Sequence, residues 1–199
     1  MNIPVKDERK AEFFKGGIPM DAKKIESYTA EDYFNLPENT RVELIDGVFY
    51  DMASPSLNHQ LIVSELNRQI GNHIKEKGGP CKVLPAPFTV KLYDDVVVEP
   101  DISVICDPKK LTEKGCNGAP DWVIEIVSPS SSGNDYIRKL QLYHSAGVLE
   151  YWIVDPGSEM VTVYDLTAEN LSPKSYSMKD TIKVGIYEDF SIDMGTVPG

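Results

Sequence analysis

Between Trp122 and Asp155 the chain reads as strand, helix, strand. Trp122-Val123-Ile124-Glu125-Ile126-Val127 is an apolar run rich in β-branched residues. Asp135 is a good N-cap for a helix that continues to about Ser145, and Gly147 ends it. Glu150 to Asp155 is a second β-rich run. Two strands joined by a crossover of this length lie parallel in one sheet, with a right-handed connection. That unit restricts the chain to an α/β fold. It also isolates an anomaly, because Glu125 stands inside the first strand with apolar residues on both sides. A carboxylate in such a place is costly unless it is paired or binds a cation.

A second carboxylate has similar surroundings. Asp101 follows Pro100 in Val96-Val97-Val98-Glu99-Pro100-Asp101-Ile102-Ser103-Val104-Ile105, read as one strand over 96–106. The strand period puts Val123, Glu125 and Val127 on one face and Trp122, Ile124 and Ile126 on the other; Asp101 shares its face with Ser103 and Ile105. If strands 96–106 and 121–128 are neighbours, the two carboxylates converge. Two carboxylates, a backbone carbonyl and waters suit Mg²⁺ or Mn²⁺. Such an ion activates water and offsets charge on a phosphoryl oxygen. Lys139 is the best candidate for a further cation, since its helix starts just beyond the end of Glu125's strand. A surface pair with Asp135 at helical spacing is the plainer reading of that lysine.

The rest of the chain supplies a mixed sheet around this unit. Thr29-Ala30-Glu31-Asp32 resembles a capping box, opening a short helix that stops before Pro37. Val42 to Ile45 and Val48 to Met52 flank Asp46-Gly47, a strong hairpin signal. Ser54-Pro55-Ser56 opens a helix to about Lys77, closed by Gly78-Gly79, with His59, Ile62, Leu66, Ile70 and Ile74 on one face. Lys82 to Leu92 reads as a strand with Pro85 and Pro87 marking an edge or bulge. The connection 107–120 reads as a long loop, and 160–165, 174–178 and 182–187 as the closing strands of a meander.

With 199 residues, 41% of them hydrophobic, the chain is expected to form a flexible arm over 1–20 and a single domain over 21–199. The first ten residues have no apolar segment, so no secretory signal is expected, and no stretch reaches the roughly 18 apolar residues of a membrane span. Cys81, Cys106 and Cys116 are an odd count with no CxxC pair, which favours free thiols and a cytoplasmic setting. The net charge of −11 weighs against a broad basic surface for tight, metal-free DNA binding.

Several segments together resemble one family. They are Glu43-Leu44-Ile45-Asp46-Gly47, Ser54-Pro55 with His59, Pro100-Asp101-Ile102, and Glu125-Ile126-Val127-Ser128-Pro129-Ser130. Asp135 with Lys139 and Tyr143, and the stretch from Ala146-Gly147-Val148 through Glu150-Tyr151-Trp152-Ile153-Val154-Asp155-Pro156, complete the set. Over about residues 28 to 190 the chain is similar to the Uma2 family of the PD-(D/E)XK nuclease-like superfamily. The resemblance implies a restriction-endonuclease-like core, a central mixed β-sheet flanked by helices. It implies Mg²⁺-dependent (or Mn²⁺-dependent) endonuclease activity on DNA and a homodimer. Asp101 and Glu125 would be metal-binding acids, with the main-chain carbonyl of Ile126 as a further ligand. The superfamily's lysine normally lies two residues beyond the second acid, where this chain has Val127. In the Uma2 pattern the lysine lies on the following helix, which points to Lys139 as the catalytic cation.

Glu43 and His59 are additional candidates, Glu43 for an approach to the metal and His59 as a ligand or a structural histidine. Tyr143 and Trp152 are most simply core residues. Two alternatives to a DNA endonuclease follow from the same residues. One is a catalytically inactive nuclease-fold module for binding or assembly, and the other is a hydrolase of smaller phosphoesters.

Overall fold

The computed structural model describes residues 27–127 and 133–198, except for the side chains of 133–135. The expected arm over 1–20 and the Ser128–Ser132 run lie outside the described residues, and the helix expected to be capped by Asp135 begins at Gly133 instead, which puts Asp135 inside it. In chain order the elements are α1 (Ala30–Phe34), β1 (Val42–Ile45), β2 (Val48–Asp51), α2 (Leu57–Lys77), β3 (Lys82–Pro85), β4 (Val90–Tyr93), β5 (Val96–Val98) and β6 (Ile102–Ile105). They continue with β7 (Leu111–Thr112), β8 (Gly115–Asn117), β9 (Trp122–Ile126), α3 (Gly133–Ala146), β10 (Glu150–Asp155), β11 (Met160–Asp165), β12 (Lys174–Ser177), β13 (Thr181–Lys183) and β14 (Ser191–Asp193).

The strands form two six-stranded mixed sheets, ordered β2-β1-β5-β4-β8-β7 and β12-β11-β10-β9-β6-β3, plus the small pair β13-β14. The strand-helix-strand unit has the expected geometry, with β9 and β10 parallel and Glu125 opposite Ile153. The capping box at Thr29 is complete in both directions with Asp32. Ser56 caps α2 by accepting from the His59 N–H, and Gly78 ends it at φ 64°.

Three expectations are corrected. The runs read as single strands over 82–92 and 96–106 are each split between the two sheets, and the splits occur at prolines. Pro87 and Pro100 carry no N–H, so neither can continue a ladder. The two breaks lie side by side, because the Ala86 N–H donates to the Asp101 carbonyl at 3.0 Å. Asp101 therefore sits where one sheet hands the chain to the other. The connection 107–120 is not simply a loop, since β8 pairs with β4 at the Val90–Cys116 register. Among the closing strands, β11 and β12 join the large sheet, whereas Thr181–Lys183 pairs with Ser191–Asp193.

The cysteines are a further correction. Cys81 and Cys106 form a disulfide, leaving Cys116 as a buried free thiol. The antiparallel β3–β6 register, Lys82 opposite Ile105, brings Cys81 and Cys106 together just past the ends of the ladder. The free-thiol argument for a reducing compartment does not hold for that pair. Among the described residues no helix is long and apolar enough to cross a membrane.

Two cores follow the strand period. Ile62, Leu66 and Ile70 of α2 pack on Ile102, Val104, Trp122, Ile124 and Trp152. Each fully buried aliphatic side chain there contributes roughly 1.5–3 kcal/mol. On the other face Val123 packs with Ile105, Val90, Val98, Tyr143 and Tyr151 between the sheets and α3. Gly115 makes the joint of β8 possible: it has φ +124°, and a Cβ there would lie 2.1 Å from the Thr89 carbonyl oxygen. Gly115→Ala is expected to destabilise the fold by about 1–3 kcal/mol, read as a lower urea midpoint. An unchanged midpoint would show that this turn has room to relax.

Candidate functional site

The β6–β9 ladder decides whether the two carboxylates meet. Ile102 lies opposite Ile124, Ser103 opposite Val123 and Val104 opposite Trp122. One further step along that antiparallel register puts Asp101 opposite Glu125. The two acids are thus cross-strand neighbours on one face, lining a cleft of about 800 Å³. Asp101 is held there by the Ile126 N–H, which donates to its Oδ2 at 2.8 Å. His59 Nε2 lies 3.1 Å from the same oxygen.

Glu125 lies deeper. Its side chain is 8% exposed, and Lys139 Nζ approaches Oε1 at 3.0 Å. Tyr143 donates its hydroxyl to that oxygen at 2.7 Å. Lys139 and Tyr143 are four residues apart on α3, so one helix face supplies both groups. Lys139 Nζ also lies 3.0 Å from Glu43 Oε1. Glu43 in turn accepts from the Glu99 N–H at 3.1 Å. The structure therefore brings Asp101, Glu125, Lys139, Glu43 and His59 around one cleft, with Ile126 among its lining residues. Lys139 faces the two glutamates rather than solvent, and Glu43 is buried rather than solvent-facing.

Among the described residues, the carboxylates of Glu43, Asp51, Glu99, Asp101 and Glu125 line the cleft together with Arg41, Arg138, Lys139 and His59. Burial holds Glu125 above the usual carboxylate range. Lys139 opposes that rise, and the charges of Asp101 and Glu43 reinforce it. The hydrogen bond to Asp101 raises His59 above its ordinary value of 6.5, against the effect of burial. A histidine with a raised folded-state pKa stabilises the fold fully below its unfolded value of about 6.5, and the contribution is lost as pH rises through the raised value. His59→Gln is therefore expected to lose more stability relative to wild type near pH 6 than near pH 8, measured by urea titration at both. An equal loss at the two values would rule out a protonated His59 partnering Asp101.

The donors suit a hard cation. Among the described residues, Asp101 Oδ1 and Glu125 Oε2 take no hydrogen bond from the protein. No group of three or more His, Cys, Asp or Glu is placed as a ready-made metal cage among those residues. An all-protein cage is characteristic of other ions; Mg²⁺ keeps several waters and uses one or two carboxylates with substrate phosphate. Two adjacent carboxylates, each with one oxygen that takes no hydrogen bond from the described residues, fit that pattern.

The Uma2 family model, described as "Putative restriction endonuclease", matches residues 30–195. The chain belongs to the Uma2 family. A Synechocystis sp. protein described as uncharacterized is 30% identical over 138 residues, covering 67% of this chain and 72% of that protein. A crystal structure from Anabaena variabilis, described as "a putative nuclease belonging to DUF820", superimposes with TM-score 0.72 at 21% identity. It covers 85% of this chain and 96% of its own, and shows that the Uma2 protein has the α/β fold of that nuclease-like structure.

Other residues at the site have roles that the sequence reading does not assign. Tyr143, read as core, is fully buried yet donates to Glu125; its spacing from Lys139 was the available signal. Tyr50 and Arg138 also line the cleft, with the Arg138 guanidinium 4.2 Å from the Tyr50 ring centroid. No local pattern marked them, because β2 and α3 meet only in the folded chain.

Proposed function

We propose that this Uma2 protein is a Mg²⁺-dependent endonuclease that hydrolyses phosphodiester bonds in DNA. The observation that carries the reading is the cross-strand placement of Asp101 and Glu125 with Lys139 held against Glu125. Asp101, Glu125 and the main-chain carbonyl of Ile126 are the groups that would hold the ion. Mg²⁺ (or Mn²⁺) in such a site supplies Lewis-acid stabilisation of the phosphoryl oxygens and a more acidic water. The surplus of buried negative charge supports the reading, because a divalent cation offsets it.

The protein's own groups have distinct tasks. Asp101 is oriented by the Ile126 N–H and by His59, which fixes one oxygen and leaves the other without a hydrogen bond from the described residues. Lys139 places a positive charge beside Glu125, where it can steady the attacking water or the charge that develops on the phosphate. Glu43 positions that ammonium from the opposite side. In the hydrolysis itself water oxygen bonds to phosphorus and gives up a proton, the P–O bond to the leaving sugar oxygen breaks, and that oxygen takes up a proton.

The test is incubation of purified protein with plasmid, linear and single-stranded DNA, with and without Mg²⁺ or Mn²⁺. Metal-dependent cleavage that disappears with Asp101→Ala and Glu125→Ala is the expected result. No cleavage by wild type, or undiminished cleavage by those variants, overturns it.

A second reading, a non-catalytic binding or assembly module on this fold, is favoured by Val127 at the usual lysine position and by the net charge of −11. Calorimetry with Mn²⁺ separates the two. Metal binding that depends on Asp101 and Glu125 counts against the module.

A further inference from the structure

The mouth of the cleft carries a ring and cations that the hydrolytic chemistry leaves unused. Tyr50 stands directly opposite Glu43 in the β1–β2 ladder. Directly opposed residues of an antiparallel pair project to the same face, with Cβ atoms about 4.5–5.5 Å apart. Tyr50 therefore faces the cleft one residue-width from the Glu43–Lys139 pair. It is 39% exposed, on an edge strand. Arg138, which lies against its ring, precedes Lys139 on α3, and Arg41 lines the same cleft. An accessible aromatic ring accompanied by guanidinium groups is the usual means of holding an unpaired strand. Every nucleobase offers a π-face to the ring, and the cations meet the adjoining phosphates.

The shape of the site favours the same class of ligand. Asp101 and Glu125 are recessed, their side chains 18% and 8% exposed. The cleft of about 800 Å³ has the size of a small-molecule pocket, roughly 300–1,000 Å³. A duplex is stiff over about 150 base pairs and does not dip one phosphate into such a recess without deformation. Duplex binding rests on neutralising a run of phosphates with Lys and Arg, which suits a chain of net charge −11 poorly. A flexible single strand needs only a short path past two arginines.

We propose that the cleft takes single-stranded DNA in preference to duplex, with a nucleobase stacked on Tyr50 and the neighbouring phosphate held by Arg138 and Arg41. The inference rests on reading the cleft as a nucleic-acid site. Its test is kept apart from turnover by measuring binding in EDTA. Fluorescence anisotropy at low salt would compare a labelled single strand, the same strand with abasic sites, and the matching duplex. The expected result is tighter binding of the single strand than of the duplex by about 10-fold or more. Tyr50→Ala is expected to weaken single-strand binding by about 5- to 100-fold, while Tyr50→Trp retains it. Abasic DNA should be insensitive to Tyr50→Ala, which distinguishes stacking from a merely structural effect. Duplex bound as tightly as single strand, or equal sensitivity of intact and abasic strands to Tyr50→Ala, overturns the inference. Either result together with metal-dependent cleavage leaves the nuclease reading standing. Loss of cleavage with the binding preference intact does the reverse.

Discussion

Lys139→Met is expected to cost about 3–5 kcal/mol of stability, the range for removing one partner of a buried ion pair. The ammonium is buried, and it is shared between Glu43 and Glu125 at 3.0 Å each. Without it the two buried carboxylates lose the cation they share, with Asp101 close by. Methionine fills a similar volume, so the loss reads the charge and not a cavity. Burial already holds Glu125 above the normal range, and removal of the opposing lysine raises it further. A carboxylate with a raised folded-state pKa is destabilising when ionised, so the loss should shrink as pH falls and the acids take up protons. Adding Glu125→Gln to Lys139→Met should recover part of the stability by the same argument. Urea denaturation of wild type, the single variants and the double variant gives the coupling. A loss below about 1 kcal/mol would be that of a surface pair and would contradict this burial.

Glu125→Gln should leave the fold nearly intact and remove cleavage. The substitution keeps shape and hydrogen-bonding capacity but deletes a charge that burial already disfavours. Lys139 keeps Glu43 as a partner, so the thermal midpoint should change little. The expected fall in the metal-dependent cleavage rate is on the order of 10²–10³-fold or more, the scale for losing one electrostatic element of a reaction centre. Mn²⁺ affinity measured by calorimetry should fall with it. Asp101→Asn should behave alike in cleavage and metal affinity, and should also disturb His59, which loses its carboxylate partner. A variant that cleaves normally would remove Glu125 from the site, and one that merely unfolds would show only that the residue is structural. The paired stability and activity measurements separate those results.

The same two residues show what was legible in the chain. Glu125 was conspicuous because apolar, β-branched neighbours bracket it, and strand period assigned it to the face opposite Trp122 and Ile124. The cores divide in that way. The parallel β9–β10 pair followed from the length of the intervening helix and the scarcity of other ways to connect such strands. Turns and caps were equally local, and Asp46-Gly47, Ser56 and Gly78 act where their short-range chemistry indicated.

What sequence left undecided depended on contacts between distant segments. Pro87 and Pro100 marked irregularities, but whether each bent a strand or sent it to another sheet depended on what lay beside it. The structure sets those two breaks next to each other and puts Asp101 at the junction. Lys139 had a plausible partner four residues away in Asp135; only the packing of α3 against β1 and β9 brings it to Glu43 and Glu125. Tyr143 looked like core because an apolar ring and a hydrogen-bonding hydroxyl are the same residue until its neighbours are known. Cys81 and Cys106 are 25 residues apart and meet only through the β3–β6 register. The sequence by itself determined the α/β class, the parallel unit, the caps at Thr29, Ser56 and Gly78 and the two anomalous acids, because short-range sterics, hydrophobic period and the cost of a buried charge act within a few residues. Tertiary structure alone decided which charges face each other, since Coulomb and hydrogen-bond energies depend on ångström separations that strand register and helix docking set.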